Sequence, residues 1–401
     1  MSTIVAWVLH PQGQRTFPQR TEIPLKAGTD NWEAAVAKAS EIVETARPWF
    51  ALTNVHLIAN LETSVRKTER DQRAVIAGRA ETEAKLNIAI LRLQELGISV
   101  SLYHSDAEFL AGVPTQNIDW TRPIQLAYSS TKYSAVDGIR CLIPILCDLR
   151  SIICTNSGVL GRVLGWNKFL STRILQASGI PTPRSWHFRK GLGWKGGNAP
   201  AEEKEVIIKN NTEAWGLGIS HDPVLRGPSV AEVEMECNRI CEETGLTELI
   251  VQEFVDGSEI CTPVFRLRND FFVFKPAEIF IEDESWSQGN AIGIDLNRRQ
   301  KHAFRPVANE QLAAETSRLA SQAMDELEID IISRMDFRVD ANGIPKLFDM
   351  AEVPGLNEDH AIGRSLEFAG ARFDSWEFMM ALNVQRAMDN GINLEANAPT
   401  D

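Results

Sequence analysis

Two aspartates, Asp336 and Asp349, stand in SRMDFRVDANGIPKLFDMAEVPGLNEDH (333–360), which reads as two apolar strands joined by a turn at Asp340 to Pro345. A Pro354-Gly355 pair follows the second strand. Carboxylates at facing points of a hairpin suit a hard cation such as Mg²⁺, which takes oxygen ligands and keeps places for water and substrate phosphates. Arg334 precedes Asp336 by two residues and so shares its strand face. A guanidinium there suits an anionic intermediate, through fixed charge and paired hydrogen bonds. Exposed acids flanking an ordinary hairpin are the plainer alternative. It is weakened because both strands are otherwise apolar.

Two further segments carry chemistry. In EVIIKNNTEAWGLGISHD (205–222) an apolar strand ends at Lys209, and a loop with Gly216 and Gly218 follows. The lysine offers a point charge for a phosphate, and the glycines let backbone amides approach phosphate oxygens. The spacing is not GxxxxGK[ST], which excludes a P-loop; a surface lysine before a turn remains the alternative. In LIVQEFVDGSEICTPVF (249–265) a strand edge followed by Glu259 suits a purine and its ribose hydroxyls. The alternative there is a plain hairpin about Asp256-Gly257, since DG is a favoured turn.

These segments need a scaffold. The first third alternates strands (3–9, 54–60, 98–104) with helical spacing over 31–46 and a long helical tract, 65–97. Apolar positions in that tract include Ile76, Ala80, Ala84, Ile88 and Leu91, and its first half is charged enough to project from the body. The rhythm predicts an open α/β unit with a largely parallel sheet. At GIPTPRSWHF (179–188) the chain crosses into a new unit, and KGLGWKGGNAPAEEKE (190–205) reads as an exposed loop.

Of the 401 residues, 44% are apolar and 24% charged, ordinary values for a globular protein of two or three domains. A formal charge of −13 argues against a general nucleic-acid or membrane-surface binder. Six cysteines form no CxxC pair; Cys237 and Cys241, four apart on a helix, are core residues or, less simply, a metal pair. No signal peptide or spanning run of about 18 apolar residues is read, so a reduced, cytoplasmic protein is expected.

In this order, and with TNSGVLGRVLGWNKFLSTRILQASGIPTP (155–183) upstream, the segments resemble the ATP-grasp superfamily, most closely its D-alanine–D-alanine ligase-like branch, over residues 150 to 370. The resemblance implies a three-domain fold, α/β at the N-terminus and α+β in the two parts that grip ATP. The boundaries implied are 1–158, 159–262 and 263–389, with a tail, 390–401. It makes Lys168 and Lys209 the ATP-phosphate lysines, and Glu213 to Gly218 the mobile loop, with Trp215 and Gly216 where many ligases have serines. Gln252, Glu253, Phe254 and Val255 become the adenine linker and Glu259 the ribose carboxylate. Asp336 and Asp349 become the metal ligands, Arg334 the oxyanion group, and Gly355 the backbone beside the acceptor.

The chain also departs from that pattern. EVN reads DMA, so an asparagine ligand becomes Ala351; Glu352 belongs to the other strand face, and a remodelled metal site is expected. LNEDH replaces a hydroxyl-rich acceptor run, with His360 at its end, and a housekeeping D-alanine ligase is not expected. The implied activity is an ATP-dependent, ADP-forming carboxylate–amine ligation through an acylphosphate, using Mg²⁺ or Mn²⁺ and small-molecule substrates. A homodimer built on 65–97 is a further expectation. His302 and His360 are acceptor-side candidates or bland surface groups, and Arg298, Arg299 or Lys301 would supply a loop cation. A ligase with a non-amino-acid acceptor and a non-catalytic ATP-binding relative are the alternatives.

Overall fold

The computed structural model describes residues 32–59, 83–112, 121–129, 141–200, 205–212, 224–281 and 302–390. The expected strand 3–9, the start of the tract 65–97, the loop Glu213 to Gly218, the basic residues Arg298, Arg299 and Lys301, and the tail beyond residue 390 lie outside these. Among the described residues no helix is long and apolar enough to cross a membrane.

Thr53–Ile58 (β1), Ser99–Tyr103 (β2), Ile124–Ser129 (β3) and Ile153–Cys154 (β4) form a parallel sheet in the order β2-β1-β3-β4. Every residue of β1 and β3 is buried, as expected when helices cover both faces of a parallel sheet. Helix α1 (Trp32–Ala46) turns Ala35, Ala39, Val43 and Ala46 inward at helical spacing. These pack in one core with Trp376, Met380 and Val384 of the C-terminal helix (Ser375–Asp389). The described end of the helical tract is α2 (Glu83–Glu95), and its stripe differs from the expected one. Leu86, Ala89 and Leu93 are buried, whereas Ile88 and Leu91 are more than half exposed. The apolar residues there fill more than one face, so periodicity alone did not choose which face the core would cover.

The opposite sheet face is covered by α3 (Asp106–Gly112) and α4 (Leu142–Arg150) through Phe109, Ile143, Leu146 and Cys147. A buried polar network lies among the strands. The Gln125 amide N–H donates to the Arg122 carbonyl (2.6 Å), which turns its Oε1 toward Asn54 Nδ2 (3.1 Å) and His56 Nε2 (2.9 Å). An Oε1 can only accept, so Nε2 carries the imidazole proton and Nδ1 faces the Tyr103 hydroxyl at 3.2 Å. Burial holds the His56 pKa below its ordinary value, against the Gln125 hydrogen bond. The unfolded chain therefore takes up a proton near pH 6.5 that the fold resists. Stability from this site is full above that pH and is lost as pH falls toward the folded pKa, with a slope of at most about 1.4 kcal/mol per pH unit. The melting temperature of His56→Gln should fall less between pH 7 and pH 5 than that of the wild type; equal falls would show that His56 does not carry the dependence.

The middle of the chain forms an antiparallel sheet, β6-β5-β9-β7-β8, from Ser185–Arg189 (β5), Gly193–Trp194 (β6), Glu205–Asn210 (β7), Val224–Arg226 (β8) and Glu248–Glu253 (β9). The tract expected as a plain loop thus carries the short strand β6, paired to β5 through Phe188 and Trp194. Helix α7 (Val230–Thr244) opens on a reciprocal Ser229–Glu232 capping box and closes on left-handed Gly245. Its buried face, with Val233, Cys237, Ile240 and Cys241, packs on Phe188, Val206 and Val251. That placement makes Cys237 and Cys241 core residues.

The third sheet runs β13-β12-β10-β14-β15, with β11 against β10. Its strands are Glu259–Leu267 (β10), Asp270–Val273 (β11), Ala277–Ile281 (β12), His302–Pro306 (β13), Ile332–Val339 (β14) and Pro345–Ala351 (β15). Strands β9 and β10 lie in different sheets, so Asp256-Gly257 is a crossing and not a hairpin turn. Gly257 is required there: a Cβ would stand 1.8 Å from the Val339 carbonyl oxygen. Strand β10 runs through the boundary expected at 262–263, and the change of sheet falls in the 254–258 crossing. Helix α8 (Glu310–Glu326) packs Leu319, Ala323 and Met324 beneath Met335 and Phe337 of β14.

Candidate active site

The hairpin β14–β15 forms as expected. The turn is held by Asp340, whose Oδ1 accepts from the amides of Asn342 (2.9 Å) and Ile344 (3.0 Å), with Gly343 at φ 78°. Asp336 is paired with Asp349, and Arg334 with Ala351. Between Asp336–Asp349 and the next pair, Phe337–Leu347, the register shifts, and Phe348 is the extra residue. A bulge bends its strand and re-aims a side chain. Here the Phe348 ring lies 4.5 Å beneath Lys209 Nζ and 6.0 Å from the Arg338 guanidinium.

Strand alternation sets Arg334, Asp336 and Arg338 in a row. The Arg334 guanidinium forks onto Asp336, Nε to Oδ1 at 2.8 Å and Nη2 to Oδ2 at 2.7 Å. Burial would lower the Arg334 pKa, but Asp336 overrides it and raises the value. Arg338 reaches Glu259 at 3.2 Å, donates to the Val255 carbonyl at 3.1 Å and stacks over Phe254 at 4.8 Å. Burial raises the Glu259 pKa, and Arg338 opposes that rise.

The second sheet and the helix held to it each supply a lysine. Lys209, at the end of β7 and 7% exposed, donates to Gln252 Oε1 at 2.8 Å. Its pKa falls to about 8, chiefly through burial, against the pull of Asp349. Lys168 begins helix α6 (Lys168–Ala177), which follows α5 (Val159–Trp166) after the single residue Asn167. Asn167 caps α6 by accepting from Leu170 N (3.0 Å). Asn211 holds the same turn to the end of β7: its carbonyl accepts from Lys168 N and its Oδ1 from Phe169 N, each at 2.9 Å. Lys168 Nζ thereby meets Asp349 Oδ1 at 2.5 Å. Burial would raise the Asp349 pKa, but Lys168 and Lys209 outweigh it and hold the carboxyl below its ordinary value.

Lys168, Lys209, Gln252, Glu259, Arg334, Asp336 and Asp349 are thus linked by ion pairs, hydrogen bonds and charge. Glu253 accepts from Arg184 N (3.3 Å) with Lys346 at 3.7 Å; Phe254 and Val255 are buried in the crossing. Gly355 follows β15, and the His360 ring lies against it, so a Cβ at 355 would stand 1.8 Å from His360 Nδ1. His360 is also the N-cap residue of α9 (Ala361–Phe368). His302 begins β13, an edge strand, and is paired with Ile281 of β12 and not with β14 or β15. Sequence reasoning missed Arg338, Phe348, Asn167 and Asn211. The alternation RMDFR could have identified the first, whereas the other three depend on a bulge and on a contact between distant segments.

No protein-family model matches the chain. It is 25% identical over 251 residues to the D-alanine–D-alanine ligase of Coprothermobacter proteolyticus, spanning 57% of this chain and 72% of that protein. To the D-alanine–D-alanine ligase of Burkholderia thailandensis it is 27% identical over 230 residues, 54% of this chain and 65% of that one. The fold matches the ATP-complexed D-alanine–D-alanine ligase of Bacillus anthracis with a TM-score of 0.59 at 14% identity, over 84% of this chain and 99% of that one. The D-alanyl-alanine synthetase A of Vibrio cholerae matches at 0.57, over the same shares. The chain is similar in sequence to D-alanine–D-alanine ligases and shares the fold of the solved ones. The chain spans about two thirds of the curated relatives it matches.

Proposed function

We propose that this chain is an ATP-grasp enzyme, an ATP-dependent carboxylate–amine ligase acting on amino-acid or small-peptide substrates through an acylphosphate. The observation that carries this reading is the Lys168–Asp349 contact, which joins the helix that Asn211 holds to the end of β7 to the hairpin of the two facing aspartates. Lys168 and Lys209 would bind ATP phosphates, Gln252 to Val255 the adenine edge and Glu259 the ribose hydroxyls. The Glu213 to Gly218 loop would cover the triphosphate.

The residues fit a magnesium ion. Asp336 and Asp349, paired across β14 and β15, would be the protein ligands, and among the described residues no group of three or more His, Cys, Asp or Glu side chains could hold a metal. Asp349 Oδ1 accepts from Lys168 and the Met350 amide (2.9 Å), and both Asp336 oxygens accept from Arg334, so Asp349 Oδ2 and the remaining lone pairs of Asp336 would take the cation. Two carboxylates with phosphate and water completing the shell suit Mg²⁺, or Mn²⁺, and Ala351 adds no side-chain oxygen. Bound there, the ion would neutralise charge on the transferring phosphoryl group. Lys209 and Lys168 would hold the phosphates in line with the donor carboxylate, and Arg334 would stabilise the oxyanion formed when the amine attacks. Gly355 would offer backbone to the acceptor. The altered run past Gly355 supports an acceptor other than that of a housekeeping D-alanine ligase.

The test is ADP release with Mg²⁺ and ATP across paired amino acids, D and L, and dipeptides. Stoichiometric ADP and phosphate with amide product is the expected result. Magnesium-dependent ATP binding without turnover on any pair would favour the non-catalytic alternative.

A further inference from the structure

Behind the aspartate hairpin lies a second charge pair that the proposed chemistry does not use. Arg162, on α5, is 2% exposed, and its Nη1 stands 3.7 Å from Glu352 Oε1, itself 4% exposed. Glu352 directly follows Ala351, the last residue of β15. Neither Arg162 Nε nor Nη1 has a hydrogen-bond partner, so Nη1 faces the carboxylate through charge and not through a formed hydrogen bond. A buried guanidinium with unmade hydrogen bonds is costly and calls for a reason.

Its surroundings are shaped to bring α5 and the strand end together. Gly161 and Gly165 are one helical turn apart. A Cβ at Gly161 would lie 2.3 Å from the Glu328 carbonyl oxygen, and one at Gly165 would lie 3.1 Å from the Glu352 Cβ. Gly161 lets the helix meet the Glu328 backbone, and a Cβ at Gly165 would press on the Glu352 side chain. The same segment continues through Asn167 into Lys168, which holds Asp349. Residues 162–168 therefore grip the end of β15 and the residue after it, at Asp349 and Glu352, three residues apart. The carbonyl of the intervening Ala351 is held by Ser333 Oγ at 3.2 Å.

We propose that Arg162 is a positioning residue for the aspartate hairpin: through Glu352 it fixes where the backbone from Asp349 to Gly355 lies, and so how Asp349 meets the magnesium ion. This rests on the ligase reading. It adds a role for two residues behind the site that touch neither nucleotide nor acceptor. With Ala351 giving no side-chain ligand, the placement of Asp349 bears more of the metal affinity, and the grip from behind supplies it.

The test uses the full chain and three variants, Glu352→Gln, Arg162→Lys and Gly165→Ala. Gln keeps the volume and removes the charge; Lys keeps the charge and shortens the reach; Ala presses on the Glu352 Cβ. Binding of a non-hydrolysable ATP analogue is followed by calorimetry across a magnesium titration, with melting temperature alongside. The expected result is an approximately tenfold rise in the magnesium concentration giving half-maximal binding, the scale seen when the partners of metal ligands are removed. Nucleotide binding at saturating magnesium should change by less than about twofold, on the same scale. A lowered melting temperature with wild-type magnesium dependence in the folded variants would show a purely structural pair and overturn the proposal. Failure of the wild type to bind nucleotide with magnesium would overturn the ligase reading as well, so the two failures are distinct.

Discussion

Asp336→Asn is expected to lower kcat at least about a hundredfold, because it would remove the charge of one of the two carboxylates proposed to hold magnesium and one of the two acceptors of the Arg334 fork together. The substitution is nearly isosteric, and Asp336 is buried while Arg334 is about a third exposed. Loss of the pair should cost on the order of 1–3 kcal/mol of stability, below the full cost of breaking a buried ion pair because solvent reaches the guanidinium. The variant should therefore fold, and a melting curve beside the steady-state rates separates the two effects. Magnesium should no longer rescue the rate at any concentration. Wild-type turnover in a folded Asp336→Asn would remove Asp336 from the chemistry.

Lys209→Met is expected to raise the KM for ATP and to lower kcat/KM by roughly a hundredfold or more, as removal of one preorganised charge does. The pH dependence gives a sharper test. With its pKa lowered to about 8, mainly by burial, Lys209 is charged below that pH and loses its proton above it. The kcat/KM for ATP reports the free enzyme, so it should be level below pH 8 and fall as pH rises through that value. Lys209→Met should lack this limb while keeping any that belong to the substrates. A falling limb of equal size in the variant would assign the titration elsewhere. Met also retains the packing against Phe348, so a loss of rate reflects charge rather than a cavity.

The hairpin was legible because its signals are local. Asp340 and Gly343 fix the turn, and alternation puts Arg334 and Asp336 on one face and sets Asp336 opposite Asp349. The bulge at Phe348 was not legible, since one extra residue leaves composition and periodicity unchanged. Nor was the Lys168–Asp349 pair, whose members are 181 residues apart; only packing of α6 against the end of β7, through Asn167 and Asn211, joins them. DG was misleading as a hairpin signal because the reason for Gly257 is the neighbouring Val339 carbonyl and not a two-residue turn. Ala351 kept its meaning: it lies opposite Arg334 and gives a metal no side-chain oxygen. Glu352 was expected on the other face, and there it meets Arg162.

The most direct measurement is transfer of ¹⁸O. A donor substrate labelled in its carboxylate, once found by ADP release, is turned over with ATP and an amine acceptor, and the phosphate is analysed by mass spectrometry. Attack of the carboxylate on the γ-phosphate predicts one labelled oxygen in the released phosphate for each amide formed. Amide product accompanied by unlabelled phosphate would contradict the acylphosphate account.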